Sequence, residues 1–369
     1  MQNLKFFINM IPKLNFDLPK KNSILIFDDI EKKIISSFVK NKNIYFIEVR
    51  NNSYNFYALI YGAIFCYRSN YKIEYLNFFF LVSNSNILLT TSFKRLIIYQ
   101  IKNFYPKRKI LVIQNGSFGK NFIDFIKNSN YKNLKSDYFF CFSKAEIVFL
   151  KDLITTNFKI LGSFRSNYYP ITKSKTKSSI VYISQYRKDL LRKKKFKDLY
   201  YSEKKLLPVL LNFCKKKNKR LEILPGENDH KREHAHFKKI LKSNQFFLYK
   251  KNIKNSYKIC DISRLCVGVD SSLIFESMSR GSKVAIFNFD TSHNRNITSI
   301  TKNYYKYSEG KFWLKYFDKH KLNKIFEHIY NMNEKKWKSN NFNEVNILSY
   351  NRNNEKIDNI LDNLINNDE

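Results

Sequence analysis

Two serines and a glutamate, Ser271, Ser272 and Glu276, have the residue types and the spacing of a phosphate and ribose site. The serines follow Asp270, and serine and aspartate are residues that cap helix N-termini. A helix that begins here presents free N–H groups, two hydroxyls and the positive end of its dipole, which suit a phosphate. Glu276 follows Ser272 by one helical turn, so its carboxylate lies on the same face and could accept hydrogen bonds from a ribose diol. The alternative is an ordinary capped helix with an exposed glutamate.

The flanking residues predict the elements that position these side chains. A short apolar, valine-rich run at 264–269 predicts a β-strand before the serines. Gly281 is expected to end this helix, because glycine adopts the left-handed conformation without strain. The apolar run at 284–287 predicts a second buried strand. The segment is therefore expected to be a strand, a loop, a short helix and a strand.

Nearly all-apolar runs recur along the chain and alternate with helix-like segments, as in βαβ units. The first series lies at 24–27, 44–47, 86–89, 109–113, 138–142 and 158–161, and the second adds 180–184, 221–224 and 245–249 to the two strands above. The polar stretch 170–179 between them predicts a linker. We therefore expect an α/β protein with two Rossmann-like domains, at residues 1–169 and 180–310. A helical segment at 311–369 is expected to pack across both.

The ends of the strands carry further polar residues. In open α/β sheets the ligand binds beyond the carboxyl ends of the strands. In the second series these ends carry Arg187, Gly226 and Glu227, which are expected to converge with the serine-capped helix on one crevice. Arg187 is a candidate partner for a phosphate or carboxylate. A solvated arginine in a basic run is the alternative.

The balance of charge points to an anionic partner. The 369 residues include 67 Lys and Arg against 31 Asp and Glu, a formal net charge of +36. Nucleic acid, a membrane face or a phosphorylated substrate would each suit this charge. The sequence shows no zinc-finger spacing, RNA-binding aromatic signature or basic heptad pattern, so nucleic acid is not expected. Five cysteines without a pairing pattern, and no signal-peptide or membrane-spanning run, favour the cytoplasm.

Several short motifs, in this order, resemble those of bacterial surface-carbohydrate biosynthesis proteins. They are ILVIQNGSFG (110–119), DYFFCFSKAEIVFL (137–150), ILGSFRSN (160–167), ISQYR (183–187), VGVDSSLIFESMSRGSKVAIFN (267–288) and EGKFW (309–313). These proteins are described as glycosyltransferases of the GT-B type, with two facing Rossmann-like domains and the active site between them. The resemblance implies that the C-terminal domain holds a nucleotide-sugar, with Ser and helix N–H groups at its phosphate and Glu276 at its ribose.

The resemblance also implies that the N-terminal domain binds the acceptor and supplies a general base for its hydroxyl. The candidate bases at strand ends are Asp28, Asp29 and Glu48. The candidate acceptor contacts, in a polar turn after a buried strand, are Gln114, Asn115 and Gly116. The acidic residue common in the family after strand 86–89 is replaced here by Thr91 and Ser92, which puts that contact in doubt.

Three histidines, His230, His234 and His236, lie close enough in sequence for a metal site, but they lack the HExxH pattern and a nearby cysteine. No suitable DxD pair occurs, so neither a metal ion nor a cofactor is expected, and the nucleotide-sugar is a substrate. The expected function is a glycosyltransferase for capsule, lipopolysaccharide or a similar glycan, at the inner face of the plasma membrane with a glycan or lipid-linked acceptor. The alternatives are a polyol-phosphate transferase or sugar-nucleotide epimerase on the same fold, and a basic nucleic-acid-binding protein.

Overall fold

The computed structural model describes residues 14–27, 31–39, 42–48, 53–188, 197–289, 307–339 and 347–366. The chain divides into two compact units. Unit 1 comprises Met1–Tyr168 and Asn351–Glu369, and unit 2 comprises Tyr169–Tyr350. Residues 170–179, the predicted linker, contain no helix or strand and belong to unit 2.

A six-stranded sheet with only parallel neighbours forms the centre of unit 1. Strands are numbered in chain order: β1 (Leu14–Asn15), β2 (Ile24–Phe27), β3 (Ile44–Ile47), β4 (Tyr54–Asn55), β5 (Ile87–Thr90), β6 (Lys109–Ile113), β7 (Leu134–Cys141) and β8 (Ile154–Ile160). The spatial order is β3-β2-β5-β6-β7-β8, while β1 and β4 form a separate pair. Since β3 and β5 lie on opposite sides of β2, the switch point of this sheet lies between β2 and β5.

Helices cover this sheet. They are α1 (Lys32–Phe38), α2 (Phe56–Phe65), α3 (Tyr71–Ser83), α4 (Ile97–Phe104), α5 (Lys120–Lys127), α6 (Lys144–Leu150), α7 (Phe164–Tyr168) and, from the C-terminal segment, α14 (Glu355–Asn366). All residues of β2 and β5 are buried, which explains why these strands have no polar face. The side chains of Asn55 and Asn70 cap α2 and α3 by accepting backbone N–H bonds.

Unit 2 is built around a five-stranded sheet, again with only parallel neighbours. Its strands are β9 (Ile180–Ile183), β10 (Leu221–Leu224), β11 (Phe246–Leu248), β12 (Leu265–Gly268) and β13 (Val284–Ile286). The spatial order is β11-β10-β9-β12-β13. Because β10 and β12 flank β9, the switch point lies between β9 and β12.

The helices of unit 2 are α8 (Lys197–Lys216), α9 (His230–Leu241), α10 (Ile253–Ile262), α11 (Ser272–Ser279), α12 (Lys319–Asn331) and α13 (Glu334–Ser339). The predicted strand, loop, helix and strand around Ser271 are present as β12, α11 and β13. Trp313 and Trp337, in the predicted helical segment, are both buried. Across the described residues, no helix combines the length and apolar character that crossing a bilayer requires.

The predicted strand bounds at 24–27, 44–47, 109–113 and 221–224 agree with the structure. The strands β7 and β8 begin earlier than predicted, at Leu134 and Ile154. Their first residues alternate between buried and exposed, because one face there is open to solvent. A search for uniformly apolar runs therefore detects only their inner ends.

Candidate active site

The carboxyl edge of the unit 2 sheet brings the predicted strand ends together. Ile183, the last residue of β9, is paired with Leu224 of β10 on one side and Gly268 of β12 on the other. The loops after these three strands therefore start side by side. The backbone N–H of Asp270 donates a hydrogen bond of 3.2 Å to the Gln185 side-chain oxygen, which links the loop after β12 to the loop after β9.

A buried carboxylate, Glu233, organises the ends of β9 and β10. It lies in the first turn of α9, a helix that Asp229 caps, and it is fully buried. Its Oε1 accepts hydrogen bonds from the Ser184 hydroxyl at 2.6 Å and from the Gly226 N–H at 2.8 Å. Burial raises the pKa of Glu233, while these donors act in the opposite direction. The carboxylate thus fixes two loops against each other.

Glu233 was not predicted, because it lies among three histidines in a polar stretch that resembles an ordinary solvated helix start. The available signal was its position. A side chain in the first turn of a helix that follows a strand points back towards the carboxyl edge of the sheet. The histidines themselves have other contacts: the His236 Nε2 lies 2.8 Å from Glu203 Oε2, and the His230 Nε2 lies 3.1 Å from the carbonyl oxygen of Leu248.

Gly226 permits an unusually close approach between two of these loops. A Cβ atom at this position would lie 2.5 Å from the carbonyl oxygen of Tyr186 and 2.7 Å from Nη1 of Arg187. That Nη1 also donates to the Tyr186 carbonyl at 2.9 Å. Glu227 Oε1 accepts a hydrogen bond of 2.9 Å from the N–H of Lys188. Arg187, Gly226 and Glu227, which were predicted as site residues, therefore lie together.

A second cation, Lys251, joins Arg187 at this edge. Its ammonium group donates to the carbonyl oxygen of Gly226. Partial burial, and then repulsion from Arg187, lower the pKa of Lys251. Lys251 was not predicted, because it follows the short strand β11 within a run of two lysines that looks like an ordinary solvated surface.

The helix α11 begins where it was predicted. Ser271 is its N-cap, with extended backbone, and its side chain makes no capping hydrogen bond. Ser272, the first helical residue, is exposed. The first N–H groups of a helix lack intrahelical partners, and they carry a partial positive charge. This end of α11 therefore has the chemistry that an anionic ligand requires.

Glu276 lies one turn further along, in the interior. Its side chain is 6% exposed, and its Oε2 accepts a hydrogen bond of 2.8 Å from the hydroxyl of Tyr257. The guanidinium of Arg280 lies 5.1 Å from the centre of the Tyr257 ring. Tyr257, which orients the Glu276 carboxylate, was not predicted, because it belongs to a different helix, α10.

The site residues predicted in unit 1 lie in different surroundings. Asp28 and Asp29 fall outside the described residues. Glu48 is partly exposed and forms an ion pair of 2.9 Å with Lys32. As an ion pair near the surface, this contact contributes at most about 1 kcal/mol to stability.

The polar turn after β6 contains the predicted acceptor residues. Gln114 is buried: its Oε1 accepts from the N–H of Phe142 at 2.9 Å, and its Nε2 donates to the carbonyl of Gly116 at 3.0 Å. Gln114 therefore braces this turn. Asn115 is partly exposed, and Gly116 has a φ of 136° with open space where a Cβ would point.

Three solved structures have a fold similar to that of this chain over most of its length. The UDP-GlcNAc 2-epimerase of Neisseria meningitidis, bound to UDP-GlcNAc, has a TM-score of 0.56 at 12% identity, over 93% of this chain and 91% of that one. The S. aureus MnaA structure with UDP has a TM-score of 0.55 at 12% identity, over 94% and 97%. The Methanocaldococcus jannaschii UDP-GlcNAc 2-epimerase with UDP-GlcNAc and UDP has a TM-score of 0.52 at 13% identity, over 92% and 99%. The prediction of an α/β fold with two Rossmann-like domains, of the GT-B-like kind, is confirmed.

A protein-family profile described as "putative O-antigen biosynthesis protein" matches residues 111–365. The chain belongs to this family. The predicted resemblance to surface-carbohydrate biosynthesis proteins is therefore confirmed. No curated protein matches the sequence significantly.

Proposed function

We propose that the protein is a glycosyltransferase that moves a sugar from a nucleotide-sugar to a surface-glycan acceptor. The observation that supports this most directly is the carboxyl edge of the unit 2 sheet. There the start of α11 and the cations Arg187 and Lys251 belong to loops that begin at neighbouring strand ends. Membership of an O-antigen biosynthesis family is in keeping with this substrate class.

In the proposed reaction the acceptor hydroxyl oxygen forms a bond to the anomeric carbon of the sugar. The bond between that carbon and the diphosphate oxygen breaks, and the nucleoside diphosphate leaves with the electron pair. The helix start, Arg187 and Lys251 would stabilise the charge that develops on the diphosphate, so that we propose a reaction without a metal ion or cofactor. Ser271 and Ser272 would bind phosphate oxygens, and Glu276 would bind the ribose.

We further propose that unit 1 binds the acceptor, with Asn115 and Gly116 as contacts in the turn that Gln114 braces. Asp28, Asp29 and Glu48 remain the proposed bases that take the hydroxyl proton. We propose a lipid-linked acceptor of the capsule or lipopolysaccharide type, at the cytoplasmic face of the membrane. There the net charge of +36 would favour anionic lipids.

Calorimetric titration of the purified protein with UDP, GDP and CMP tests the nucleotide site. We expect at least one nucleotide to bind with a dissociation constant below 1 mM, which corresponds to about 4 kcal/mol. Arg187→Ala should weaken that binding about tenfold, since a charge-assisted hydrogen bond contributes roughly 1.5–3 kcal/mol. Arg220→Ala, at the amino edge of the same sheet, is the matched control. If no nucleotide binds at millimolar concentration, the proposal is wrong.

An epimerase is the second candidate, because three solved structures with this fold are UDP-GlcNAc 2-epimerases or carry UDP. An epimerase changes the sugar of a nucleotide-sugar without an acceptor. Incubation of the protein with UDP-GlcNAc alone, followed by product analysis, separates the two candidates. A new nucleotide-sugar formed without an acceptor favours the epimerase.

A further inference from the structure

Unit 1 contains a cavity of about 490 Å³, and none of the predicted site residues that the structure describes lines it. It lies at the switch point of the six-stranded sheet, where Phe27 ends β2 and where Lys94 and Arg95 follow β5. The helices α2 and α3 contribute Leu59, Leu76 and neighbouring residues. In open α/β sheets this is the place where ligands bind.

Aromatic and aliphatic side chains form most of the cavity wall. The aromatic members include Tyr54, Tyr71, Tyr75, Phe125 and Tyr131. The Tyr75 hydroxyl accepts a hydrogen bond of 3.1 Å from the N–H of Asn55, and burial raises the pKa of Tyr75 to about 12. With their rings and hydroxyl groups, the tyrosines form an amphipathic wall. The described lining has no Asn, Gln, Ser or Thr side chain, and so offers little with which to recognise the edge of a nucleotide base.

Three cations, Lys72, Lys94 and Arg95, line the same cavity, and the described lining contains no carboxylate. Lys94 lies over the rings of Phe93 and Phe122, at 5.2 and 5.8 Å from their centres. Its ammonium donates to the carbonyl of Ser117 at 3.3 Å rather than to an acid.

Other lysines of unit 1 have acidic partners. Lys102 pairs with Asp137 at 3.0 Å, and Lys42 pairs with Asp358 at 3.0 Å. For the described residues, no ion pair joins any of the three cavity cations to a carboxylate. Three positive charges beside an apolar wall, with no acidic partner among the residues that the structure describes, favour an anionic ligand with a large apolar part.

Exposed apolar side chains also lie on α2, the helix that contributes Leu59 to the cavity wall. This helix, FYALIYGAIF, contains no charged residue, and Leu59 faces the cavity while Tyr57, Ile60 and Ile64 are exposed. Their exposed fractions are 43%, 43% and 59%. Exposed aliphatic surface on a helix that also lines a cationic pocket suits a chain that is too long for the cavity alone.

We infer that this cavity binds a phosphate ester of a long aliphatic alcohol. The phosphate lies among Lys72, Lys94 and Arg95, and the aliphatic chain lies along the tyrosine wall and the exposed face of α2. The role of this ligand as the carrier of the acceptor sugar rests on the proposed glycosyl transfer. Its binding does not require the nucleotide site.

Calorimetry with decyl phosphate, inorganic phosphate and the uncharged decyl maltoside, all below micellar concentrations, tests the inference. Decyl phosphate should bind at least about tenfold more tightly than either of the others. The double variant Lys94→Ala, Arg95→Ala should weaken this binding by about tenfold or more. The control Lys107→Ala, Lys135→Ala removes the same charge at the amino edge of the sheet and should change nothing.

A further variant, Ile60→Lys, is exposed and should fold. It should weaken the binding of long-chain alkyl phosphates and leave the binding of butyl phosphate unchanged. The inference would be overturned if inorganic phosphate or the uncharged maltoside bound as tightly as decyl phosphate. It would also be overturned if this cavity preferred UDP to decyl phosphate. If the double variant loses decyl phosphate while UDP binding is absent in the wild type, the inference stands and the proposed transfer fails.

Discussion

The hydroxyl of Ser184 donates a 2.6 Å hydrogen bond to the Oε1 of Glu233, and this bond joins the end of β9 to the start of α9. The same oxygen accepts from the N–H of Gly226, so that one buried carboxylate holds the loops after β9 and β10. Both loops carry residues of the proposed diphosphate site. The shape of that site therefore depends on a residue that need not touch the ligand.

Replacing Glu233 by alanine should destabilise the protein. The change leaves the Ser184 hydroxyl and the Gly226 N–H without their acceptor, and each buried polar group that loses its partner costs about 1–3 kcal/mol. We expect the free energy of unfolding to fall by about 2–5 kcal/mol in urea titrations. Glu355→Ala, at the exposed start of α14, is the control and should cost less than about 0.5 kcal/mol. A loss no larger than that of the control would contradict the role of Glu233.

The raised pKa of Glu233 predicts a dependence of stability on pH. The folded state holds this proton more tightly than the unfolded chain, in which the pKa is near 4.5. The contribution of Glu233 to stability therefore decreases as the pH rises from 4.5 through its folded pKa, and increases as the pH falls. Glu233→Gln, which cannot titrate, should lack this contribution. In urea unfolding, the stability of the wild type relative to this variant should grow as the pH is lowered from neutral towards 4.5. A difference that stays constant or shrinks would mean that the hydrogen bonds, and not burial, determine the pKa.

The substitution Gly226→Ala should disturb the proposed diphosphate site. The new Cβ would meet the carbonyl oxygen of Tyr186 at 2.5 Å and its backbone nitrogen at 2.9 Å, and backbone atoms cannot rotate away. We expect a loss of about 1–3 kcal/mol in stability and weaker nucleotide binding, measured by urea unfolding and calorimetry. Gly268→Ala is the control, since its nearest contact would be 3.4 Å from Ile274 Cβ, which is ordinary packing. Equal effects of the two substitutions would show that the approach of the loops is not tight.

The sequence predicted the strands and the serine-capped helix well because both leave local signals. Buried parallel strands are uniformly apolar, as in ILIF of β2, and Ser271 stands where a helix cap is expected. Glu233, Lys251 and Tyr257 left no such signal. Their roles arise from contacts between elements far apart in the chain, such as the bond from Tyr257 to Glu276 across 19 positions.

The predicted location of Glu276 illustrates the same limit. Spacing alone placed its carboxylate on the helix face that carries Ser272, and it could not show how deeply that face is packed. The structure buries Glu276 against Tyr257, whereas Ser272 remains exposed. Gln114 is a second case: a polar residue after a strand suggested a sugar contact, but tertiary packing engages both ends of its side chain with the backbone.

Tyr257→Phe tests whether Glu276 recognises a ribose. The variant removes the hydroxyl that orients the carboxylate and keeps the ring beneath Arg280. The loss of one hydrogen bond to a charged group should cost about 1.5–3 kcal/mol of stability. UDP should bind about tenfold more weakly, for a similar reason, whereas inorganic pyrophosphate, which has no ribose, should bind as it does to the wild type. Calorimetry with both ligands measures the difference. If both ligands weaken equally, Glu276 does not contact the ribose.

The buried ion pair between Arg280 and Asp261 should contribute strongly to the stability of unit 2. Both side chains are fully buried, and the Arg280 Nη2 lies 2.6 Å from the Asp261 Oδ2. Arg280 also donates to the carbonyl oxygens of Tyr169 and Pro170, at 2.8 and 2.9 Å. It therefore fastens the first residues of unit 2 to the end of α11.

Arg280→Met keeps much of the side-chain volume but leaves the Asp261 carboxylate buried without its charged partner, with the N–H of Thr172 as a remaining donor at 2.9 Å. Breaking a buried ion pair in this way costs about 3–5 kcal/mol, so we expect a loss of that size in urea unfolding. The control is Arg232→Met, which removes an exposed ion pair with Asp229 and should cost less than about 1 kcal/mol. Asp261→Asn combined with Arg280→Met should recover part of the loss, because no unpaired charge then remains buried. A double variant as unstable as Arg280→Met alone would show that the bonds to Tyr169 and Pro170, rather than the ion pair, carry the stability.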